Sequence, residues 1–164
     1  MSLTSPETPA APSRPKLPEE LVKSTTFLLK RLGFAIKERA MAAYEPTGLH
    51  PYHHGVLIAL GDGPHETQGA IADALGYDRG QLVGLLDELE ERGLVERRRD
   101  PDDRRRHLVR LTPDGKRMLG RLRRTAGKID DDFLAPLTPE ERATLHRLLL
   151  RLAEEHEPGC APSV

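Results

Sequence analysis

Residues 86–115 read LDELEERGLVERRRDPDDRRRHLVRLTPDG, and the changes of period along them decide the fold. The helix that Gly93 closes carries Leu82, Leu85, Leu86 and Leu89 at i, i+3, i+4 and i+7, one apolar stripe facing inward. From Leu94 the period drops to two. Val95, Arg97 and Arg99 run into the turn-forming Asp100, Pro101, Asp102 and Asp103, and His107, Leu108, Val109, Arg110 and Leu111 lead back. That is a two-stranded hairpin with a basic tip. Thr112 followed by Pro113 then opens another helix, because proline's fixed φ and missing N–H suit the first helical turn.

Working toward the N-terminus, Asp78 caps the leucine helix, and a shorter one runs from Thr67 through Ile71, Ala72 and Leu75 to Gly76. Two short helices joined by a Gly-containing turn make a helix-turn-helix. A helix with Val56, Leu57, Ile58 and Leu60 follows Pro51 and ends at Gly61, Asp62, Gly63 and Pro64. Before it, Leu21, Thr25, Leu28, Leu32 and Ile36 share one stripe, widened by Val22 and Leu29, which predicts a single long helix from about Pro18 to Tyr44. Toward the C-terminus, Thr138, Pro139 and Glu141 form a capping box, and the last helix shows Leu145, Leu148, Leu149 and Leu152 on one face, with Leu150 off it. Prolines 6, 9, 12, 15 and 18 mark residues 1–17 as a disordered Pro-rich tail, and 157–164 reads as a flexible one. The fold class is mainly α with a small β-hairpin wing, in one domain over 18–156 with the winged helix-turn-helix at about 51–111.

The chain has 164 residues with 25 Lys or Arg against 26 Asp or Glu, a balance that hides a strong asymmetry. Residues 97–124 hold twelve Arg or Lys against four Asp, a local +8, leaving thirteen cations and twenty-two acids, or −9, elsewhere. One face therefore suits a polyanion. A membrane surface would need apolar anchors beside the charge, and 97–107 has none; nor does any apolar run approach the roughly 20 residues of a membrane span. No apolar stretch follows the N-terminus, so a cytoplasmic protein is expected. Cys160, the only cysteine, excludes an internal disulfide framework and a cysteine-cluster metal site.

Residues 67–119 closely resemble the MarR family of winged helix-turn-helix transcription regulators. The likeness rests on a Leu-Glu pair, a Gly-Leu-Val, an arginine-bearing strand, an Asp-x-Arg-Arg wing and a Leu-Thr-x-x-Gly within 86–115. The resemblance implies helices at about 18–45 and 112–156 that flank the DNA-binding lobe and form a homodimer. It also implies a pseudo-palindromic double-stranded DNA operator, action as a repressor, and release by a small-molecule effector or by oxidation. The second arginine of the wing motif, Arg105, would reach the minor groove, and Asp103 would brace the wing. The residues point to DNA on their own terms too, since a narrow A·T-rich minor groove concentrates negative potential and favours an inserted guanidinium.

Around that arginine, Arg97, Arg99, Arg104 and Arg106 are further candidates, although strand alternation sends Arg97 and Arg99 to one face and Arg98 to the other. On the recognition helix the outward face carries Gly80 and Gly84 flanked by Arg79, Gln81 and Val83. The glycines would let the backbone approach the groove floor, leaving base reading to Arg79, Gln81 and a Val83 contact with a thymine methyl. Gln81 could instead complete a capping box with Asp78. Thr67 and Gln68 suit phosphate contacts, and Thr67 fits a pure N-cap equally well. Relatives often carry Ser or Thr near Gly80 and Gln81 and a longer polar side chain near Gly84, so their operators do not transfer.

For an effector, Phe34, Tyr52 and His53 could line a pocket, with core packing the competing role of Phe34. The cluster His50, His53 and His54 could hold a metal with help from His65, but surface or capping histidines account for it more simply, and no metal or cofactor is expected. Oxidation sensing finds no cysteine near the first helix. No phosphate loop, nucleophile elbow or nucleophile–base pair indicates an enzyme, and Glu90 and Glu91 read as a solvated helix face. The remaining alternative is a winged-helix protein-interaction module, which would have no use for six arginines around one tip.

Overall fold

Ser24 breaks the helix that the apolar stripe predicts from Pro18 to Tyr44. Its hydroxyl accepts the Phe27 N–H at 3.3 Å, and its carbonyl accepts from Leu28 at 3.0 Å, so a short α1 (Glu19–Val22) ends and α2 (Thr25–Tyr44) starts afresh. A serine hydroxyl offers the backbone an alternative to the i−4 carbonyl, which apolar periodicity alone does not register. The computed structural model describes residues 16–61, 66–157 and 159. Residues 1–15 of the expected N-terminal tail, the turn expected at 62–65 with His65, and Cys160 with most of the expected C-terminal tail lie outside the described residues. The chain forms two units, divided after Ala35 within α2. In the first, the predicted stripe is largely exposed, with Leu21 at 40% and Leu32 at 50%.

In the second unit a 3₁₀ turn (Glu45–Thr47) leads to Gly48, whose φ of 67° turns the chain into α3 (Pro51–Gly61). The core forms where α3, α4 (Gln68–Leu75), α5 (Arg79–Glu91) and α6 (Pro113–Phe133) meet a small sheet, and it is filled by Val56, Leu57, Ile71, Leu86, Val95, Val109 and Leu122. The predicted inward stripe of α5 is buried along its length, Leu82, Leu86 and Leu89 almost completely. The wing strands β2 (Val95–Arg99) and β3 (His107–Leu111) pair antiparallel with Val95 opposite Leu111 and Arg97 opposite Val109. A third strand, β1 (Glu66–Thr67), joins the predicted hairpin in the order β1-β3-β2, with Thr67 opposite Leu108. Two residues are too few to show a period. Thr67 also caps α4 by accepting the Ala70 N–H at 3.1 Å, so one residue ties the helix-turn-helix to the wing.

The last helix, α7 (Pro139–His156), opens on the expected capping box between Thr138 and Glu141. Leu148, Leu149 and Leu152 of its predicted face are 40–47% exposed in the single chain, while Leu145 and Leu150 are half-buried. No helix among the described residues is long and apolar enough to cross a membrane.

Candidate nucleic-acid interface

Three backbone features place the nominated side chains. Asp78 caps α5 by accepting the N–H groups of Gly80 at 2.8 Å and Gln81 at 3.2 Å. One carboxylate thus supplies the cap, and the Gln81 side chain is not required for it. The Thr67 cap fixes the start of α4. At the wing tip, Asp103 accepts the Arg105 N–H at 3.0 Å on one carboxylate oxygen and pairs with the Arg106 guanidinium at 3.3 Å through the other. The Arg106 N–H reaches the Asp103 carbonyl at 2.8 Å, and the Asp100 N–H reaches the Arg106 carbonyl at 3.0 Å, closing the loop. Asp103 therefore braces the turn from inside it. Among the described residues no hydrogen bond or ion pair holds the side chains of Arg79, Arg104 or Arg105.

A cleft of about 520 Å³ opens between these features and brings together Thr67, Gln68, Arg79, Arg105, Arg106 and His107. A smaller one of about 190 Å³, lined by Gln68, Arg79 and Val83, adjoins it along α5. Gly80, Gln81 and Gly84 are exposed on the outer face of α5, and a side chain built at Gly84 would meet nothing within 4 Å. Arg99 is exposed at the far end of β2.

Arg97 is placed otherwise. Its guanidinium sits 2.6 Å from both Asp87 and Glu90 of α5, and its own N–H donates to the second Glu90 oxygen at 3.1 Å. β2 is the edge of the sheet, so Glu90 satisfies a strand N–H that would otherwise face outward. The guanidinium holds the Glu90 carboxyl below the usual carboxylate range, the hydrogen bond being the main cause. The solvated face expected at Glu90 is thus a tie between recognition helix and wing. The i, i+3 spacing of Asp87 and Glu90 was its only trace in the sequence. On the opposite face, Glu96 bonds the Arg110 side chain across the strand pair and Arg98 at 3.4 Å, which lowers its carboxyl as well.

The residues nominated for an effector divide. Phe34 is exposed in the first unit. Tyr52 is 44% exposed and stacks on His50 with ring centroids 4.7 Å apart. His53 is buried, as is His54, whose Nδ1 lies 2.6 Å from the Tyr44 hydroxyl. Burial pushes both imidazoles below the ordinary histidine value. Among the described residues no group of three or more histidines, cysteines or carboxylates could hold a metal ion.

Comparison with known proteins sets this geometry among DNA-binding regulators. The profile of the MarR family matches residues 47–106. A putative transcriptional regulatory protein for the hcr operon of Thauera aromatica is 36% identical over 129 residues, 74% of this chain and 78% of the relative. The transcriptional repressor CouR, solved bound to a 23-mer DNA duplex, superposes with a TM-score of 0.76 at 34% identity, over 86% of this chain and 99% of that one. The PcaV transcriptional regulator from Streptomyces coelicolor, solved with its natural ligand, gives a TM-score of 0.70 at 30% identity, over 87% and 100% of the two chains.

Proposed function

This chain belongs to the MarR family of transcriptional regulators, and from that premise we propose that it is a homodimeric repressor whose α5 enters the major groove of a pseudo-palindromic operator while the wing enters the flanking minor groove. The observation that carries the proposal is the Arg105 guanidinium, unpaired on a tip braced by Asp103 and facing the same cleft as Arg79, Thr67 and Gln68. CouR on its DNA duplex supports it from outside. Within the site, Thr67 and Gln68 meet phosphates with the α4 N-terminal amides. Arg79, Gln81 and Val83 read bases; Arg104, Arg106 and Arg99 add phosphate contacts. Arg97 positions the wing. The exposed leucines of α7 and of α1–α2 support a dimer, because apolar stripes of this kind are covered in solution. Two-fold symmetry then calls for half-sites about one DNA turn, roughly 34 Å, apart. Such a protein works in the cytoplasm, where its DNA is. The ligand-bound PcaV supports release by a small molecule; one acting on Tyr52 would reach α5 through Tyr77, whose ring meets Tyr52 edge-on at 5.5 Å.

The test is fluorescence anisotropy of the full chain on the DNA flanking its own gene, with unrelated DNA of equal length as competitor, across a salt titration. Preferential binding of two subunits per site, falling steeply with salt, is expected. No binding at low salt would overturn the proposal in favour of a protein-interaction module.

Gly84 offers a second check. Replacing it with alanine removes a helix-interior glycine where a methyl group has open space, so the free protein should gain up to about 1 kcal/mol. The same methyl stands between the α5 backbone and the groove floor, so operator affinity should fall in the same variant. Tighter operator binding would remove the close approach from the mechanism.

A further inference from the structure

The motif His50-Pro51-Tyr52-His53-His54 opens α3, and its first turn is closed in an unusual way. The Tyr52 N–H donates to His50 Nδ1 at 3.2 Å, and the His50 N–H donates to His53 Nδ1 at 2.9 Å. This is the reciprocal arrangement of a capping box, with the residue before the helix and the third helical residue each covering an orphan amide. Both acceptors are imidazole nitrogens. An imidazole accepts only at an unprotonated nitrogen, so the cap exists only while both Nδ1 atoms are bare.

The same turn touches α5 near both ends. His53 Nε2 is buried and lies 3.1 Å from Glu88 Oε2. Tyr52, stacked on His50, meets the ring of Tyr77 immediately before the Asp78 cap. The position of α5 therefore depends on the α3 cap at two points.

We infer that His50 and His53 form a two-histidine cap that works only with both rings neutral, and that His53 is thereby a positioning residue that makes DNA binding weaken in acid. The charged and titratable groups facing His53 are Glu88 and Arg92 from α5 and its C-cap, and His50 from its own turn; Glu45 shares the groove beside His50. Protonating His53 strengthens its attraction to Glu88. Against that stand burial, the Arg92 charge, the lost bond to the His50 N–H, and a positive charge at the start of a helix, where the dipole disfavours it. Glu88 is 58% exposed, so water weakens both its attraction and its hydrogen bond to the charged ring. Burial is the largest influence and lowers His53 from its ordinary value near 6.5, which places the loss of the His53 half of the cap below that pH.

The DNA readout rests on the proposed function; the cap is tested separately. Long-range ¹⁵N–¹H correlation on histidine-labelled full chain at pH 7.5 should show His53 protonated at Nε2 and bare at Nδ1, and a proton on Nδ1 would overturn the cap. Affinity for the DNA flanking its own gene is then compared at pH 7.5 and 5.5 in a His107→Gln background, which removes the one histidine among the described residues that lines the cleft. Binding should weaken by up to about tenfold, the most one titrating group gives per pH unit between its ordinary value and its lowered folded pKa. Adding His50→Ser and His53→Gln supplies a capping box that does not titrate in this range, and that protein should bind equally at both pH values. Binding that stays level or tightens in acid, or an acid loss that persists with the Ser and Gln pair, would overturn the inference. An unsubstituted protein that binds no DNA at pH 7.5 would reject the regulator, while the tautomer still decides the cap.

Discussion

Gly115→Ala should destabilise the protein by about 3 kcal/mol and lower its melting temperature by roughly 10 °C. Gly115 lies in the first turn of α6 and is buried; its φ is not positive, so the backbone does not demand glycine. Space does. A Cβ there would overlap the Leu94 carbonyl oxygen and press to 3.3 Å on Leu111 Cδ2. That oxygen cannot give way easily, since it accepts the Thr112 N–H at 3.1 Å. The Thr112 hydroxyl meanwhile donates to the Gly93 carbonyl at 2.6 Å and accepts the Gly115 N–H at 3.0 Å, locking the end of α5, the start of β2 and the start of α6 into one knot. The Leu-Thr-x-x-Gly motif is thus explained by packing: Thr tethers three chain segments and Gly lets them touch. The control is Gly127→Ala on the same helix, where a Cβ meets nothing within 4 Å and stability should rise by up to about 1 kcal/mol. Equal melting temperatures for the two variants would show that α6 docks differently.

How far the sequence discloses the molecule depends on whether a feature is local. The helix-turn-helix, its caps at Thr67 and Asp78, the wing and the inward leucines of α5 follow from spacing over a few residues, and the structure has them all. The break at Ser24 leaves no mark in the periodicity, because a hydroxyl bonding the nearby backbone leaves the apolar stripe intact. Partner choice was the least legible part. Six arginines surround the wing and all look alike on paper, yet Arg97 is held by Asp87 and Glu90 and Arg106 by Asp103, whereas Arg105 is not held. What separates them is which carboxylate the fold carries alongside. The histidine cluster was legible as a group, and capping was among its readings; that two rings cap one helix reciprocally needed coordinates.

That sorting of arginines sets the sharpest expectation for DNA. Arg105→Ala should weaken operator binding at least tenfold, from about 1–3 kcal/mol per lost contact and two wings per dimer. Thermal stability should hardly move, because the side chain is exposed and only its backbone N–H is used by Asp103. The salt dependence should also flatten, by roughly one released counterion for each arginine removed from the phosphates. Arg105→Lys should restore little, since a strongly hydrated ammonium costs more to strip of water in a narrow groove than a guanidinium does. Arg97→Met provides the contrast. It removes the same charge from the same wing, but from a side chain only 22% exposed and already paired inside the protein. Its operator affinity should fall through a loosened wing with the salt slope unchanged, and its melting temperature should drop. Asp87→Asn with Glu90→Gln sharpens the distinction, because deleting two acids near a polyanion would tighten binding if charge alone mattered. If the clamp matters, that pair binds more weakly than the parent. Unchanged affinity in Arg105→Ala would take the wing out of the mechanism, and matching salt slopes for Arg105→Ala and Arg97→Met would erase the difference between contact and clamp.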